Sequence, residues 1–278
     1  MKTIVDPARM QETALAWRAQ GLRVGFVPTM GFLHQGHTSL MDLARPLCDR
    51  LVVSIFVNPL QFGPGEDLDR YPRDPEGDAA RCKAHGTDLL FMPTALYPPG
   101  HATRVAVRGL SDGLCGADRP THFEGVTTVV ARLFGVVQPH VAVFGEKDYQ
   151  QLAIIRRMTR DLALPVEVVG GPLVRDTDGV ALSSRNKYLT DTDRLRARTL
   201  SGSLRAIQAA VQAGERHVPT LLALGRSRVD ADELDYIDIR SADDLASLDV
   251  IDRPARVFGA ARYQHTRLID NMALPDLP

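Results

Sequence analysis

The 278-residue chain is 44% hydrophobic and 24% charged, with 33 basic against 34 acidic side chains and a formal net charge of −1. That length fills a sizeable core and accommodates one large domain plus a smaller one, in a composition ordinary for a soluble globular protein. The balanced charge argues against a binder of nucleic acid or of a membrane surface, while leaving room for a local basic pocket.

At the N-terminus Asp6 and Glu12 interrupt any apolar signal-peptide core after Lys2. No run reaches the length of a transmembrane helix, so a cytoplasmic protein is expected. The 3 cysteines, Cys48, Cys82 and Cys115, form no C-x-x-C pair and read as reduced thiols, the alternative being a catalytic cysteine. A helix is predicted over Pro7–Ala19, with Leu15 and Trp17 toward the core. The strand RVGFV (23–27) then runs into PTMGFLHQGHTSL (28–40), where Leu40, Leu43 and Ala44 predict a helix over 37–45. Gly31 and Gly36 punctuate the turn and let backbone approach a ligand. A helix N-terminus offers unpaired N–H groups and a partial positive charge. His34 and His37 add two imidazoles there, so the turn fits an anion, phosphate above all. Two plainer readings stand beside it: a polar turn with surface histidines, and a metal pair for which only Asp42 is near enough to be a third ligand.

The strand LVVSIFV (51–57) leads into NPLQF, where Asn58 and Gln61 place amides at a strand end; the Gln61 amide serves equally to pair with loop backbone. A loop rich in Gly, Pro and Asp follows to residue 75. Then come a helix (76–85), a strand (88–92), a helix (126–137), a strand (141–144), a helix (149–162) and a strand (166–169). In GEKDYQQ (145–151) Lys147 sits where a strand end meets a helix N-terminus, suited to a polyphosphate or simply part of a solvated first turn. Near-continuous apolar strands alternating with helices indicate a parallel sheet, and such sheets bind ligands at the carboxyl ends of their strands. After GGP (170–172) the pattern changes, placing a boundary near 172–176. VRDTDGVALSSRN (174–186) combines a turn at Asp178-Gly179 with the donors of Ser183, Ser184 and Arg185, which fit phosphate oxygens or a plain helix cap. A helix over 191–213 and strands near 235–239, 256–258 and 266–269 complete the chain.

PTMGFLHQGH, FVNPLQF, FGEKDYQQ and VRDTDGVALSSRN, in this order and spacing, resemble the pantothenate synthetase (pantoate–β-alanine ligase) family over residues 24–189. The His-x-Gly-His and Ser-Ser-Arg segments are also similar to two signatures of the wider nucleotidyltransferase and class I aminoacyl-tRNA synthetase group, where they grip ATP. The resemblance implies α/β architecture: a Rossmann-like doubly wound parallel sheet over 1–173 and a smaller α+β C-terminal domain over 174–278, a lid over the ATP site. It implies that pantoate and ATP give pantoyl adenylate and pyrophosphate, and that β-alanine then gives pantothenate and AMP. It assigns Met30, Gly31, Phe32, Leu33, His34, Gln35, Gly36 and His37 to ATP, with His37 as proton donor. Gly145, Glu146, Lys147 and Asp148 contact the nucleotide, Lys147 on its phosphates, and Val174, Leu182, Ser183, Ser184 and Arg185 complete the site. His34, Lys147 and Arg185 join His37 as catalytic groups. Gln61 is implied to hold pantoate and lie near β-alanine, Gln151 to hold pantoate, and Asn58 and Arg119 to be further substrate contacts. Magnesium arrives with ATP, no dedicated metal site is expected, and the implied assembly is a homodimer whose partners are these small molecules.

One departure stands out: RPTHF (119–123) where the family reads Arg-Pro-Gly-His-Phe. If that glycine takes φ > 0, Thr121 fits poorly and the loop rearranges. The segment 176–186 is expected to move over entering phosphates. Two rival functions remain. A nucleotidylyltransferase acting on a phosphorylated substrate would favour basic residues where this chain has Gln61 and Gln151; a regulatory nucleotide binder without turnover is opposed by the full set of catalytic residue types.

Overall fold

A computed structural model describes residues 1–275; residues 276–278, the end of the predicted C-terminal domain, lie outside the described residues. The chain divides into two compact units, one of Met1–Asp112, Gly116–Glu146 and Ile154–Pro172, the other of Gly113–Cys115, Lys147–Ala153 and Leu173–Pro278. In chain order the first part carries β1 (Lys2–Ile4), α1 (Pro7–Ala19), β2 (Val24–Thr29), α2 (Gln35–Ala44), β3 (Arg50–Ile55), α3 (Pro75–Ala84), β4 (Leu89–Phe91), α4 (Cys115–Asp118), α5 (His122–Val137), β5 (Val141–Gly145), α6 (Tyr149–Asp161) and β6 (Glu167–Gly171).

The sheet order is β1-β4-β3-β2-β5-β6, every pairing parallel. From β2 the chain winds one way through β3 and β4 and the other way through β5 and β6. The carboxyl ends of β2 and β5 therefore flank the reversal point, where such sheets open a ligand crevice. The central strands are apolar throughout because they are covered: Phe26, Val27, Val52, Val53, Ala142 and Val143 are all fully buried. The second unit packs α7 (Asp191–Gln212) and α8 (Val218–Arg226) on an antiparallel sheet of β7 (Glu233–Ser241), β8 (Ala255–Tyr263) and β9 (Thr266–Ala273). Its core joins Leu200, Leu204 and Ile207 to Leu221, Ile237 and Val257. The doubly wound parallel sheet and the smaller α+β part are the architecture that the sequence predicts. No helix among the described residues is long and apolar enough to cross a membrane.

Some elements differ from expectation. Helix α1 turns Met10 and Ala14, one turn apart, into the core, which carries Leu15 outward to 49% exposure and leaves Trp17 half-buried. The edge strand β1, whose 3 residues are too short to show a period, and α8, which begins on Val218-Pro219, have no counterpart among the predicted elements.

Candidate active site

The strand β2 ends at Thr29, and α2 begins at Gln35 rather than at His37. His34 is its N-cap, with φ −135° and its Nδ1 accepting the Gly36 N–H at 3.1 Å. His37 Nδ1 in turn accepts the His34 N–H at 3.3 Å, and the two rings lie 4.1 Å apart at 44°. With both Nδ1 atoms accepting, each neutral imidazole carries its hydrogen on Nε2. Each ring's N–H donor thus lies on Nε2, at a helix end favourable to anions. Asp42 is not turned to the histidines; it meets His85 Nδ1 at 2.7 Å. Among the described residues no three His, Cys, Asp or Glu converge on a possible metal position.

The turn before the cap is unusual. Gly31 takes φ +89° and Phe32, a non-glycine, φ +52°. A Cβ at position 31 would also lie 2.9 Å from Ile55 Cγ2, so only glycine suits it. Asp78 on α3, 1% exposed, accepts the Phe32 N–H at 2.8 Å and the Leu33 N–H at 2.7 Å. Burial pushes the Asp78 carboxyl above the usual aspartate range, the two N–H donors and Arg81 acting against it and Asp74 with it. Leu33 packs in the core with Leu40, Met41 and Val53. Of the stretch expected on ATP, Phe32 and Leu33 therefore give their N–H groups to the protein itself.

After β3 a tight turn spans Pro59–Gln61. Asn58, expected on substrate, is 1% exposed and is used up as a frame. Its Nδ2 donates to Gln61 Oε1 (3.1 Å) and to the Gly125 carbonyl (3.0 Å), and its Oδ1 accepts from Leu60 N (3.3 Å) and Tyr97 Oη (2.9 Å). The Gln61 Nε2 lies 2.9 Å from Met30 Sδ. Arg119, the other expected substrate contact, is a brace. Its Nε donates to Glu66 Oε1 at 2.9 Å, its Nη2 to Glu66 Oε2 and, at 3.1 Å, to the Gln61 carbonyl. His122 Nδ1 reaches the same carbonyl at 2.9 Å. Thr121 has φ −96° and ψ −7°, ordinary right-handed backbone, so the steric conflict expected for a β-branched residue does not arise.

Burial alone would raise the Glu66 carboxyl, but the Arg119 hydrogen bond and charge, with help from His122 and the Gly63 N–H, hold it below the ordinary glutamate value of 4.5. A carboxyl held low by the fold stabilises it above that value, and the contribution disappears as pH falls through the lower folded value. Glu66→Gln is therefore expected to lower the thermal midpoint at neutral pH, with the difference from wild type closing as pH falls below the ordinary glutamate value. A midpoint gap constant across an acid titration would contradict the pairing.

In the second unit, Lys147 lies in the short turn Glu146–Asp148 after β5, its Nζ 3.5 Å from Asp148 Oδ1. Its carbonyl accepts from Asn271 Nδ2 at 2.8 Å; Asn271 also takes a hydrogen bond from Arg256, whose guanidinium lies 3.9 Å from the Tyr149 ring. Strands β8 and β9 thus fix the backbone that carries the lysine. Gln151 is half-buried in the first turn of α6, whereas its neighbour Gln150 is tied to Cys115 N (3.1 Å) and the Gly113 carbonyl (2.8 Å). Val174 accepts from Leu182 N at 3.0 Å across a hairpin that bends at Asp178-Gly179. Ser183 Oγ accepts the Arg185 N–H at 3.3 Å, the plain cap, and Ser184 is buried. Within its unit the start of the segment 176–186 is tied down, Arg194 pairing with Asp178 at 2.6 Å and Asp176 at 2.8 Å, and Arg175, just before it, pairs with Asp270 at 2.7 Å.

Sequence reasoning did not find Asp78, Glu66, His122, Asn271 or Arg256. Asp78 in the first turn of a helix reads as a favourable surface charge, and β9 holds Asn271 at a position with no motif around it. His122 alone had a signal, as the histidine of RPTHF.

Residues 2–273 match the family described as Pantoate-beta-alanine ligase. A pantothenate synthetase of Solidesulfovibrio magneticus is 51% identical over 284 residues, spanning 100% of both chains. One of Geotalea daltonii is 51% identical over 95% of this chain and 96% of its own. Among solved structures, the pantothenate synthetase of Thermus thermophilus superposes with a TM-score of 0.92 at 47% identity, covering 99% of this chain and 100% of that one. The pantoate-beta-alanine ligase of Francisella tularensis, solved with beta-gamma ATP and beta-alanine, gives a TM-score of 0.81 at 32% identity over 98% and 97% of the two chains.

Proposed function

The chain belongs to the pantoate–β-alanine ligase family, and from that premise we propose how its residues carry out the ATP-dependent condensation of pantoate with β-alanine. A pantoate carboxylate oxygen attacks the α-phosphorus of ATP, and pyrophosphate leaves. The amine of β-alanine then attacks the acyl carbon, and AMP departs with that oxygen, leaving pantothenate. The first step gathers charge on the equatorial phosphate oxygens and on the leaving group, so it needs placed donors and little covalent chemistry.

The observation that carries this reading is the histidine pair at the start of α2, each ring oriented by the hydrogen bond its Nδ1 accepts, which makes Nε2 the donor atom. These two N–H groups are assigned to the ATP phosphates, with His37 in the proton-donor role. Lys147, Ser183, Ser184 and Arg185 supply further donors to the same nucleotide, and Met30, Gly31, Gln35, Gly36, Gly145, Glu146, Asp148, Val174 and Leu182 line it. ATP enters as its magnesium salt, so the metal would arrive with the nucleotide. Gln61 and Gln151 orient pantoate, with Asn58 and Arg119 acting behind Gln61. A cytoplasmic homodimer, with residues 176–186 closing on the phosphates, completes the proposal.

Incubation with MgATP, pantoate and β-alanine is expected to release AMP, and omission of any one substrate to abolish pantothenate. ADP in place of AMP, or pyrophosphate release that ignores pantoate, would overturn the reading. Gln61→Ala removes a side-chain partner of the substrate, which costs about 1–3 kcal/mol, so the KM for pantoate is expected to rise roughly 5- to 150-fold. The KM for ATP should change far less. Equal shifts for both substrates would mean that Gln61 only shapes its loop.

A further inference from the structure

We propose that Asp78 is a positioning residue for the adenylation step, acting on His34 and His37 through the backbone of Phe32 and Leu33. This rests on the assignment of both histidines to the ATP phosphates.

Between the end of β2 and the start of α2 the chain reverses within residues 30–34. It does so by placing Phe32 at φ +52°, directly after Gly31 at +89°. An L side chain in that region costs about 1–2 kcal/mol, and phenylalanine, unlike asparagine, has no polar group to compensate locally. The compensation comes from Asp78, 46 residues further on. One carboxylate oxygen takes the Phe32 N–H at 2.8 Å and the other the Leu33 N–H at 2.7 Å. A carboxylate that is 1% exposed is tolerated because both oxygens are hydrogen-bonded and because it sits in the first turn of α3. Around it, Arg81 Nη1 is 3.8 Å from Oδ1, Asp74 holds that same guanidinium nitrogen at 3.2 Å, and the Cys82 thiol is buried on the same helix.

The clamp closes one residue before the cap. Leu33 is followed by His34, whose N–H goes to His37 Nδ1 and whose own Nδ1 takes the Gly36 N–H. A hydrogen-bonded series therefore runs from the Asp78 carboxylate through the 32–34 backbone to both imidazoles. A rotation of the Phe32–Leu33 peptide would swing both Nε2 donors away from a bound phosphate.

Asp78→Asn keeps the shape but leaves a single accepting oxygen, so one of the two N–H groups loses its partner. In single-turnover experiments, adenylation of pantoate by saturating MgATP is expected to slow about 30- to 100-fold, the scale of an ångström's misplacement. The reaction of pantoyl adenylate with β-alanine should stay within about threefold of wild type. Adding Phe32→Gly to Asp78→Asn, which makes the left-handed backbone free of side-chain strain, should recover part of the adenylation rate; this double variant carries the test if Asp78→Asn does not fold. His37→Ala is run alongside. If His37→Ala adenylates normally, the assignment of the histidines to ATP fails. If His37→Ala is impaired and Asp78→Asn is not, the positioning role fails while that assignment stands. Equal loss in both half-reactions, unrelieved by Phe32→Gly, would mean that Asp78 only supports the fold and would overturn the proposal.

Discussion

Lys147→Ala is expected to slow adenylation roughly 10²–10³-fold, about 3–4 kcal/mol, the loss typical of one preorganised donor. Negative charge moves onto the pyrophosphate as it leaves, and on the proposed assignment the Lys147 ammonium meets it. Amide formation from ready-made pantoyl adenylate involves no pyrophosphate, so the same variant should lose about tenfold or less there. The lysine's backbone is held independently of its side chain, by Asn271 Nδ2 on the Lys147 carbonyl at 2.8 Å. Truncation should therefore leave the turn in place, which circular dichroism and the thermal midpoint would verify. A large and equal loss in both half-reactions would show that Lys147 does not act on the leaving phosphates alone.

The second large effect is expected at a residue that touches no substrate. Gly125 lies inside α5, where alanine would ordinarily stabilise a helix by about 1 kcal/mol. Here a Cβ would stand 2.1 Å from the Leu60 carbonyl oxygen and 2.6 Å from Gln61 Cα, both main-chain atoms that cannot rotate aside. The 59–61 turn must lift off the helix, and the Asn58 Nδ2 bond to the Gly125 carbonyl, now 3.0 Å, must stretch. Overpacking of this kind costs about 1–3 kcal/mol. Gly125→Ala is thus expected to lower the thermal midpoint and to raise the KM for pantoate about tenfold or more through displacement of Gln61. A stabilised variant with unchanged pantoate KM would contradict the close approach of turn and helix.

The residues proposed to meet ligands are more legible in the sequence than the residues that hold them. His34 and His37 stand out because they sit in a glycine-punctuated strand-to-helix turn, and the parallel sheet follows from apolar runs of strand length. The helix start was misplaced by two residues because a histidine is an uncommon N-cap, so His34 read as loop. Asn58 and Arg119 enter as substrate contacts through the family resemblance. Their partners, Gly125, Tyr97 and Glu66, lie 67, 39 and 53 residues away, and no local spacing reveals them. Asp78 was hidden for the same reason. Its carboxylate looks like a favourable first-turn charge until the distant Phe32 and Leu33 amides are seen to end on it. The strain expected at Thr121 came from treating a family glycine as left-handed, whereas φ −96° there suits any residue.

The adenylate route is tested most directly by following the carboxylate oxygen. Pantoate labelled with ¹⁸O in both carboxylate positions is incubated with MgATP and β-alanine, and the released AMP is examined by ³¹P NMR or mass spectrometry. Attack of that carboxylate on the α-phosphorus predicts one labelled oxygen in every AMP and none in pyrophosphate. Unlabelled AMP, or label recovered in inorganic phosphate beside ADP, would contradict a pantoyl adenylate.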